Sequence, residues 1–337
     1  MSTKTGLRGL WKKASAVVAA AVTATSLMVA GSGTAAAANR DVLGPGCVWD
    51  AVGFWVQRCT VDSPATGHPI QVQIQPAKNG GNAGLYLLDG LRATDATNAW
   101  VNDSDAQSLF VDNNITLVMP IGGAASFYAD WEGPATYDFN NPVNYKWETF
   151  LTQELPAYLE QNFGVARNNN AIAGLSMGGT AAMNLGAKHP DQFRQVLSYS
   201  GYLATTLPGM QTMMRVALLD AGGFNINAMY GSMLNPRRFQ NDPMLNLGGL
   251  RNSDVFVSAA SGVPHPDEWS LPPNMLIAGS PLEAFSLYTT RVWTLSAQAQ
   301  GVKYAEDFPA YGLHNWRNFT GELHATKPRI LDVMNAW

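Results

Sequence analysis

The sequence predicts an α/β fold built on a mostly parallel, doubly wound sheet with helices on both faces. Two observations carry this. Short apolar runs at residues 85–88, 115–120, 171–173, 195–200 and 254–258 have the length and continuity of strands buried on both sides. Between several of them lie stretches of helical period, and alternating strands and helices imply parallel crossovers rather than hairpins. A third observation fixes where chemistry sits. Residues 167–189 read RNNNAIAGLSMGGTAAMNLGAKH, in which an apolar run enters Gly174-Leu175-Ser176-Met177-Gly178 and a helical pattern follows to Lys188 and His189.

The first 38 residues stand apart. Lys4, Arg8, Lys12 and Lys13 precede an apolar stretch from Ala16 to about Ala30, and Ala36-Ala37-Ala38 fits a small-residue cleavage site. The expectation is a secretory signal over 1–38 and a single domain over 39–337. Removing that segment takes away four of 21 basic residues and none of 25 acidic ones, which leaves a formal charge of −8. Such a balance argues against nucleic acid as a partner. Export makes a disulfide the leading reading of Cys47 and Cys59, the two cysteines of the chain, with a loop closed through Trp49, Phe54 and Trp55.

Along the chain, residues 68–75 alternate as a half-exposed strand does. Residues 85–88 form a buried strand that ends in Asp89-Gly90-Leu91-Arg92, and 115–120 form another. The aromatic, turn-rich segment that follows Gly122-Gly123 reads as a long surface excursion. A helix over 147–163 stops at Gly164 and should kink at Pro156. After the strand at 195–200, residues 205–252 are rich in Met, Gly and Asn and suit a helical insertion over the site. A helix is expected from Pro281 or Leu282 to Ala299, a strand within 302–308, and a last helix from about 327 to 337.

The G-x-S-x-G pattern between strand and helix is a nucleophile elbow, in which the turn is strained and the serine hydroxyl stands at a helix N-terminus. A serine needs a base, and the base an orienting acid. In the α/β-hydrolase order both follow the serine. His68 precedes it, His189 reads as a helix cap, His265 leaves little room for an acid, and His324 lacks a turn. His314, on a Gly-containing loop after a strand, is the expected base. Asp254, Asp267, Glu268 and Glu283 are all open as the acid. Oxyanion donors are expected from the N–H groups of Met177 and of Leu91. Asp89 and Arg92 are either a structural pair or sugar-holding groups. No metal or cofactor is required.

YLLDGLRATDATNAW (86–100), VMPIGGAASFYADW (118–131), YKWETFLTQELPAYL (145–159), GLSMGG (174–179), DAGGF (220–224), NDP (241–243) and FPAYGLHNW (308–316) occur in order. Together they resemble the mycolyltransferases of mycobacteria and corynebacteria, the antigen 85 type, with corynebacterial members nearest. The resemblance implies a secreted serine acyltransferase that moves a mycolyl chain from trehalose monomycolate to an acceptor hydroxyl. That acceptor is a second trehalose monomycolate or cell-wall arabinogalactan. It implies Ser176 as nucleophile, His314 as base and Glu283, in Glu283-Ala284-Phe285 at the start of a helix, as acid. Trehalose contacts fall on Asp89, Arg92 and Trp316, with Thr289 in place of a serine.

Three departures bear on the acceptor. The loop after Trp131 lacks a cysteine pair. Leu203-Ala204-Thr205 stands where a Leu-Leu-Asp pattern is usual, and residues 261–281 lack the Gly-rich pattern. Protein O-mycoloylation, a carboxylesterase, or a non-catalytic envelope or fibronectin-binding protein are the alternative readings.

Overall fold

A computed structural model describes residues 39–138 and 140–337; the expected secretory signal lies outside them. The strands are β1 (Cys47–Trp49), β2 (Gln57–Val61), β3 (Ile70–Gln75), β4 (Ala83–Leu88), β5 (Ile115–Pro120), β6 (Asn170–Leu175), β7 (Phe193–Tyr199), β8 (Asp254–Ser258) and β9 (Ala305–Asp307). They form one sheet in the order β1-β2-β3-β5-β4-β6-β7-β8-β9. From β5 to β9 every pairing is parallel, while β1, β2 and β3 join antiparallel at one edge. All six residues of β4, of β5 and of β6 are buried, as strands covered on both faces must be.

Two apolar layers sandwich the sheet. One gathers Tyr86, Val118, Ile172 and Val196 with Trp147, Phe150 and Leu155; the other gathers Leu85, Leu117, Ala173 and Leu197 with Trp100, Phe319 and Leu323. Side chains of one strand alternate between the layers, which is the period-2 signature of a doubly covered sheet. The β1–β2 edge is closed by a disulfide between Cys47 and Cys59, which face each other across the antiparallel pair.

The helices are α1 (Ala99–Asn102), α2 (Ala106–Phe110), α3 (Trp147–Thr149), α4 (Leu155–Phe163), α5 (Met177–Lys188), α6 (Met210–Gly222), α7 (Ile226–Tyr230), α8 (Pro236–Gln240), α9 (Pro273–Ala299) and α10 (Trp316–Met334). Between α3 and α4 the chain makes a π-helical turn over Phe150–Glu154. The irregularity expected at Pro156 is met there: proline offers no N–H to the preceding turn, and the wider turn takes up the mismatch. Gly164 ends α4 at φ 67, as a left-handed cap should.

Four expectations need correction. The strand over Ile70–Gln75 is not half-exposed; β2 and β5 flank it and five of its six residues are buried. The segment after Gly123 is a surface excursion only in its second half, since Ala125, Ser126 and Tyr128 are fully buried and Trp131 nearly so, while Glu132, Tyr137 and Asn141 are exposed. α9 begins at Pro273, which leaves Pro281 and Glu283 inside the helix rather than at its start. α10 begins at Trp316, with Asn315 accepting the Asn318 N–H as cap, and Pro328 lies within it. Residues 210–240 are helical as expected, in α6, α7 and α8. No helix among the described residues is long and apolar enough to cross a membrane.

Candidate active site

The parallel strands deliver the chemistry-bearing groups to their carboxyl ends, the usual place for a site in such a sheet. Ser176 follows β6 and caps α5 with φ 52 and ψ −120, a region where a side chain is strained. Its N–H donates to the Tyr199 carbonyl at 2.9 Å, which ties the turn to β7. Glycines are required on either side because backbones nearly touch. A Cβ on Gly174 would stand 2.4 Å from the Gly178 carbonyl, and one on Gly178 2.5 Å from the Asp89 carbonyl oxygen. The turn therefore closes against the loop that leaves β4.

His314 and Glu283 meet. His314 Nδ1 lies 2.7 Å from Glu283 Oε2, with the histidine side chain 9% exposed and the glutamate 0%. The other oxygen, Oε1, accepts from Ser200 Oγ at 2.7 Å, the Ala260 N–H at 2.7 Å and Asn318 Nδ2 at 3.1 Å. A buried carboxylate with this many donors is held in one orientation. The His314 loop is fixed by its own N–H, which donates to the Gly279 carbonyl of α9 at 3.1 Å. Gly312 lets the loop pass; at φ 147 a Cβ there would lie 2.7 Å from that of Ala260.

Of the other acids weighed, Asp254 is bound by the Arg329 guanidinium at the start of β8. Asp267 is exposed and pairs with His265 and Arg317. Glu268 is buried, but accepts from the His265 N–H and Asn315 Nδ2 instead of the histidine ring of the site. Among the four, Glu283 alone reaches His314.

The loop after β4 is braced from within. Asp89 accepts from the Gly90 N–H at 2.6 Å and the Ala99 N–H at 2.9 Å, and its own N–H donates to the Tyr128 hydroxyl at 3.0 Å. Burial pushes the Asp89 carboxyl above the ordinary aspartate range, against the pull of those two N–H groups. The Leu91 carbonyl accepts from the Ala125 N–H, whereas the Leu91 N–H finds no protein acceptor among the described residues. That N–H and the Met177 N–H belong to the two backbones that pack at Gly178. Phe127 N–H points to Met177 Sδ at 3.3 Å, so the buried 125–131 segment supports both.

The surrounding residues divide by exposure. Arg92 pairs with Asp220 of α6, not with Asp89, so the insertion is tied to the rim of the site. Trp316 is half-buried, packed edge-on against Trp100 and Phe319. Thr289 is fully buried, donating to the Ser286 carbonyl and accepting from the Leu203 N–H, which corrects its expected place among sugar contacts.

Residues 63–330 match the Esterase family model. Diacylglycerol acyltransferase/mycolyltransferase Ag85B of Mycolicibacterium smegmatis is 37% identical over 337 residues, covering 97% of this chain and 98% of its own length. The chain belongs to the Ag85-type acyltransferase/mycolyltransferase family. The Ag85C protein of Mycobacterium leprae is 35% identical over 286 residues, covering 84% of this chain and 83% of its own. The crystal structure of Mycobacterium tuberculosis MPT51 superposes with a TM-score of 0.72 at 28% identity, over 83% of this chain and 98% of that one. An enzyme of the serine-hydrolase type, built on the α/β-hydrolase fold, follows from this membership.

In this Ag85-type chain, several groups of the site had no signal in the sequence. Ser200 and Asn318 reach Glu283 from two different elements. Tyr202 lies 5.9 Å from the His314 ring, tilted to it, and its hydroxyl donates to the Leu282 carbonyl at 3.5 Å. Burial raises the Tyr202 phenol, so it remains a donor at any working pH.

Glu322 is a further buried acid beneath the site, 5% exposed, whose Oε2 has no partner. Burial, then the charge of Asp307, raises its pKa to about 8, with Glu283 adding to the shift. Between the ordinary 4.5 and about 8, the folded chain thus keeps a proton that the unfolded chain has lost. Stability contributed by the neutral acid falls as pH rises through that window and is gone above it. Glu322→Gln should therefore flatten this slope. Its melting temperature should exceed that of the parent at pH 8.5 by several degrees, at roughly 2–4 °C per kcal/mol for a domain of this size, and by much less at pH 5. Calorimetry at the two pH values decides; equal differences at both would show that Glu322 does not titrate there.

Proposed function

We propose that the protein is an exported acyltransferase that moves a mycolyl chain from trehalose monomycolate, through an ester on Ser176, to an acceptor hydroxyl. The observation that carries this reading is the buried His314–Glu283 pair in a chain of the mycolyltransferase family that also holds Ser176 on a strained turn. His314, oriented by Glu283, takes the Ser176 proton as Oγ attacks the ester carbonyl. The Leu91 and Met177 N–H groups bind the oxyanion, and trehalose leaves with the proton from His314. The second half runs in reverse: His314 deprotonates the acceptor hydroxyl, which displaces the acyl chain and frees Ser176.

Water is the competitor, so positioning of the acceptor decides the product. Arg92 and Trp316 lie at the rim and Asp89 beneath it, where they suit sugar hydroxyls. Asp89 supports the loop as well, through its bonds to Gly90 and Ala99. The Tyr202 hydroxyl, whose bond to the Leu282 carbonyl is long at 3.5 Å, can turn to hold the incoming oxygen. Tyr202→Phe should lower the ratio of transfer to hydrolysis about three- to tenfold, the worth of one neutral hydrogen bond. Product analysis at fixed acceptor concentration reads this ratio, and an unchanged ratio would remove Tyr202 from acceptor positioning.

The Esterase family match favours one second reading, a carboxylesterase in which water is the acceptor. Intact-mass spectrometry with trehalose monomycolate, with and without added trehalose, separates the two. A mycolyl adduct discharged faster by trehalose than by buffer supports sugar acyl transfer. Equal discharge supports hydrolysis, and no adduct at all overturns both.

A further inference from the structure

A second concave feature lies far from Ser176, on the disulfide-closed edge of the sheet. A cavity of about 380 Å³ is lined by Asp41, Trp49, Asp50, Phe54 and Trp55, together with Gly53 and Val56. Apart from Asp41, which precedes β1, these residues belong to β1 and to the loop that joins it to β2. Because β1 and β6 are five positions apart in the sheet, a spacing of about 4.8 Å per strand puts the cavity roughly 24 Å from the nucleophile.

Its aromatic rings are wet and yet held in place. Trp49, Phe54 and Trp55 are 46%, 43% and 38% exposed. Phe54 and Trp55 are consecutive non-glycine residues at φ 54 and 60, a conformation that costs bulky side chains on the order of 1–3 kcal/mol each. The surrounding bonds over-determine the loop. The Asp50 N–H donates to the Val56 carbonyl at 3.0 Å, the Val56 N–H to the Gly53 carbonyl at 2.9 Å, and Gln75 Nε2 to the Phe54 carbonyl at 2.7 Å. The Cys47–Cys59 bridge closes its base. Trp55 is pinned by its indole N–H, which donates to Asp41 Oδ1 at 2.7 Å, and by the Arg40 guanidinium 3.8 Å over its ring. Backbone strain works against folding, and the exposed faces of the rings gain nothing from burial within the chain. Rigid rings presented to solvent suit a ligand that meets them without ordering cost.

The lining also states what the ligand must be. Aromatic faces ask for a flat apolar surface, and the Asp41 carboxylate beside them asks for a hydroxyl donor, whereas Asp50 is already engaged by Arg58, Gln73 and the Val52 N–H. Asp41 Oδ2 accepts no hydrogen bond among the described residues, so one such acceptor is free. A sugar ring has both properties: axial C–H groups that stack on an aromatic face and a rim of hydroxyls. An anionic lipid surface would meet the free Asp41 oxygen, while Arg58 is held by Asp50 and Arg40 lies on the Trp55 ring. An acyl chain would leave the acceptors dry and unpaired. We infer that the Trp49–Phe54–Trp55 cradle is a glycan-binding site for neutral hexopyranose rings, separate from the Ser176 site and able to hold the enzyme on a polysaccharide.

The test is calorimetric titration of the purified protein with maltoheptaose, a linear galactan and trehalose, alongside Trp49→Ala and Trp55→Ala. At least one of the three glycans should bind the parent, and each variant should weaken that affinity by roughly tenfold or more. Hydrolysis of a short soluble ester at Ser176 should be unchanged in both variants, which separates this site from the catalytic one. The circular dichroism spectrum should also be unchanged, since the rings are exposed. Absence of binding by all three glycans at millimolar concentration would overturn the inference, as would equal affinity in parent and variants. Cosedimentation with phosphatidylglycerol vesicles that is lost in Trp49→Ala, without glycan binding, would overturn it in favour of a lipid surface.

Discussion

Ser176→Gly is expected to abolish acyl-enzyme formation and, at the same time, to raise the thermal stability of the fold. The loss follows from removing the nucleophile and should be at least about 10⁴-fold in turnover. The gain follows from the backbone. Ser176 sits at φ 52 and ψ −120, which only glycine adopts without strain. Relief of about 1–3 kcal/mol is offset by the larger entropy of an unfolded glycine, about 0.5–1 kcal/mol. A net gain near 1 kcal/mol corresponds to roughly 2–4 °C in melting temperature. Ser176→Ala keeps the strained φ and should lose the activity without the gain. Mass spectrometry and calorimetry on the two variants read these outcomes together. If Ser176→Gly is no more stable than Ser176→Ala, the turn is not strained; if either still forms the adduct, another residue is the nucleophile.

The same turn shows why part of the architecture was legible in the sequence. Two glycines flanking a serine between an apolar run and a helical pattern have a local cause, the near-contact of Gly174 with Gly178, and local causes leave local signals. The strands at Ile115–Pro120 and Asp254–Ser258 were legible for a similar reason, being apolar runs with clear ends. Proline misled twice. Pro281 and the proline after Lys327 suggest helix starts, yet both lie inside helices that begin eight and twelve residues earlier. For α9 the true start is also marked by a proline, Pro273. For α10 it is marked by Asn315, whose cap bond is to Asn318.

Contacts between distant elements were not legible at all. Ser200, Asn318 and Tyr202 converge on the Glu283–His314 pair from β7's exit and from α10, and no spacing in the sequence encodes that approach. The buried 125–131 segment was likewise hidden. Its aromatics look like surface residues until the loop after β4 is seen to lean on Ala125 and Tyr128.

That convergence makes Glu283→Gln the most informative single substitution. A glutamine must choose which of its two ends faces His314. Oε1 of the native acid accepts from Ser200, the Ala260 N–H and Asn318, and two of these three, the amide N–H groups, can only donate. The glutamine oxygen will therefore take that side, and its NH₂ will face His314 Nδ1, 2.7 Å away in the native pair. His314 must then accept at Nδ1 and carry its proton on Nε2. That is the wrong tautomer to receive a proton from Ser176, and inverting the amide instead would set its NH₂ against the Ala260 N–H, a backbone donor that cannot turn to accept. Acylation should fall by about 10⁴-fold, the magnitude expected when a base is locked in the wrong tautomer. Single-turnover acylation measured beside the melting temperature distinguishes this from unfolding. Near-normal acylation in a folded Glu283→Gln protein would remove Glu283 as the orienting acid. Asp254 could not replace it without leaving Arg329, nor Asp267 without leaving the surface, so such a result would require His314 to work without a carboxylate partner.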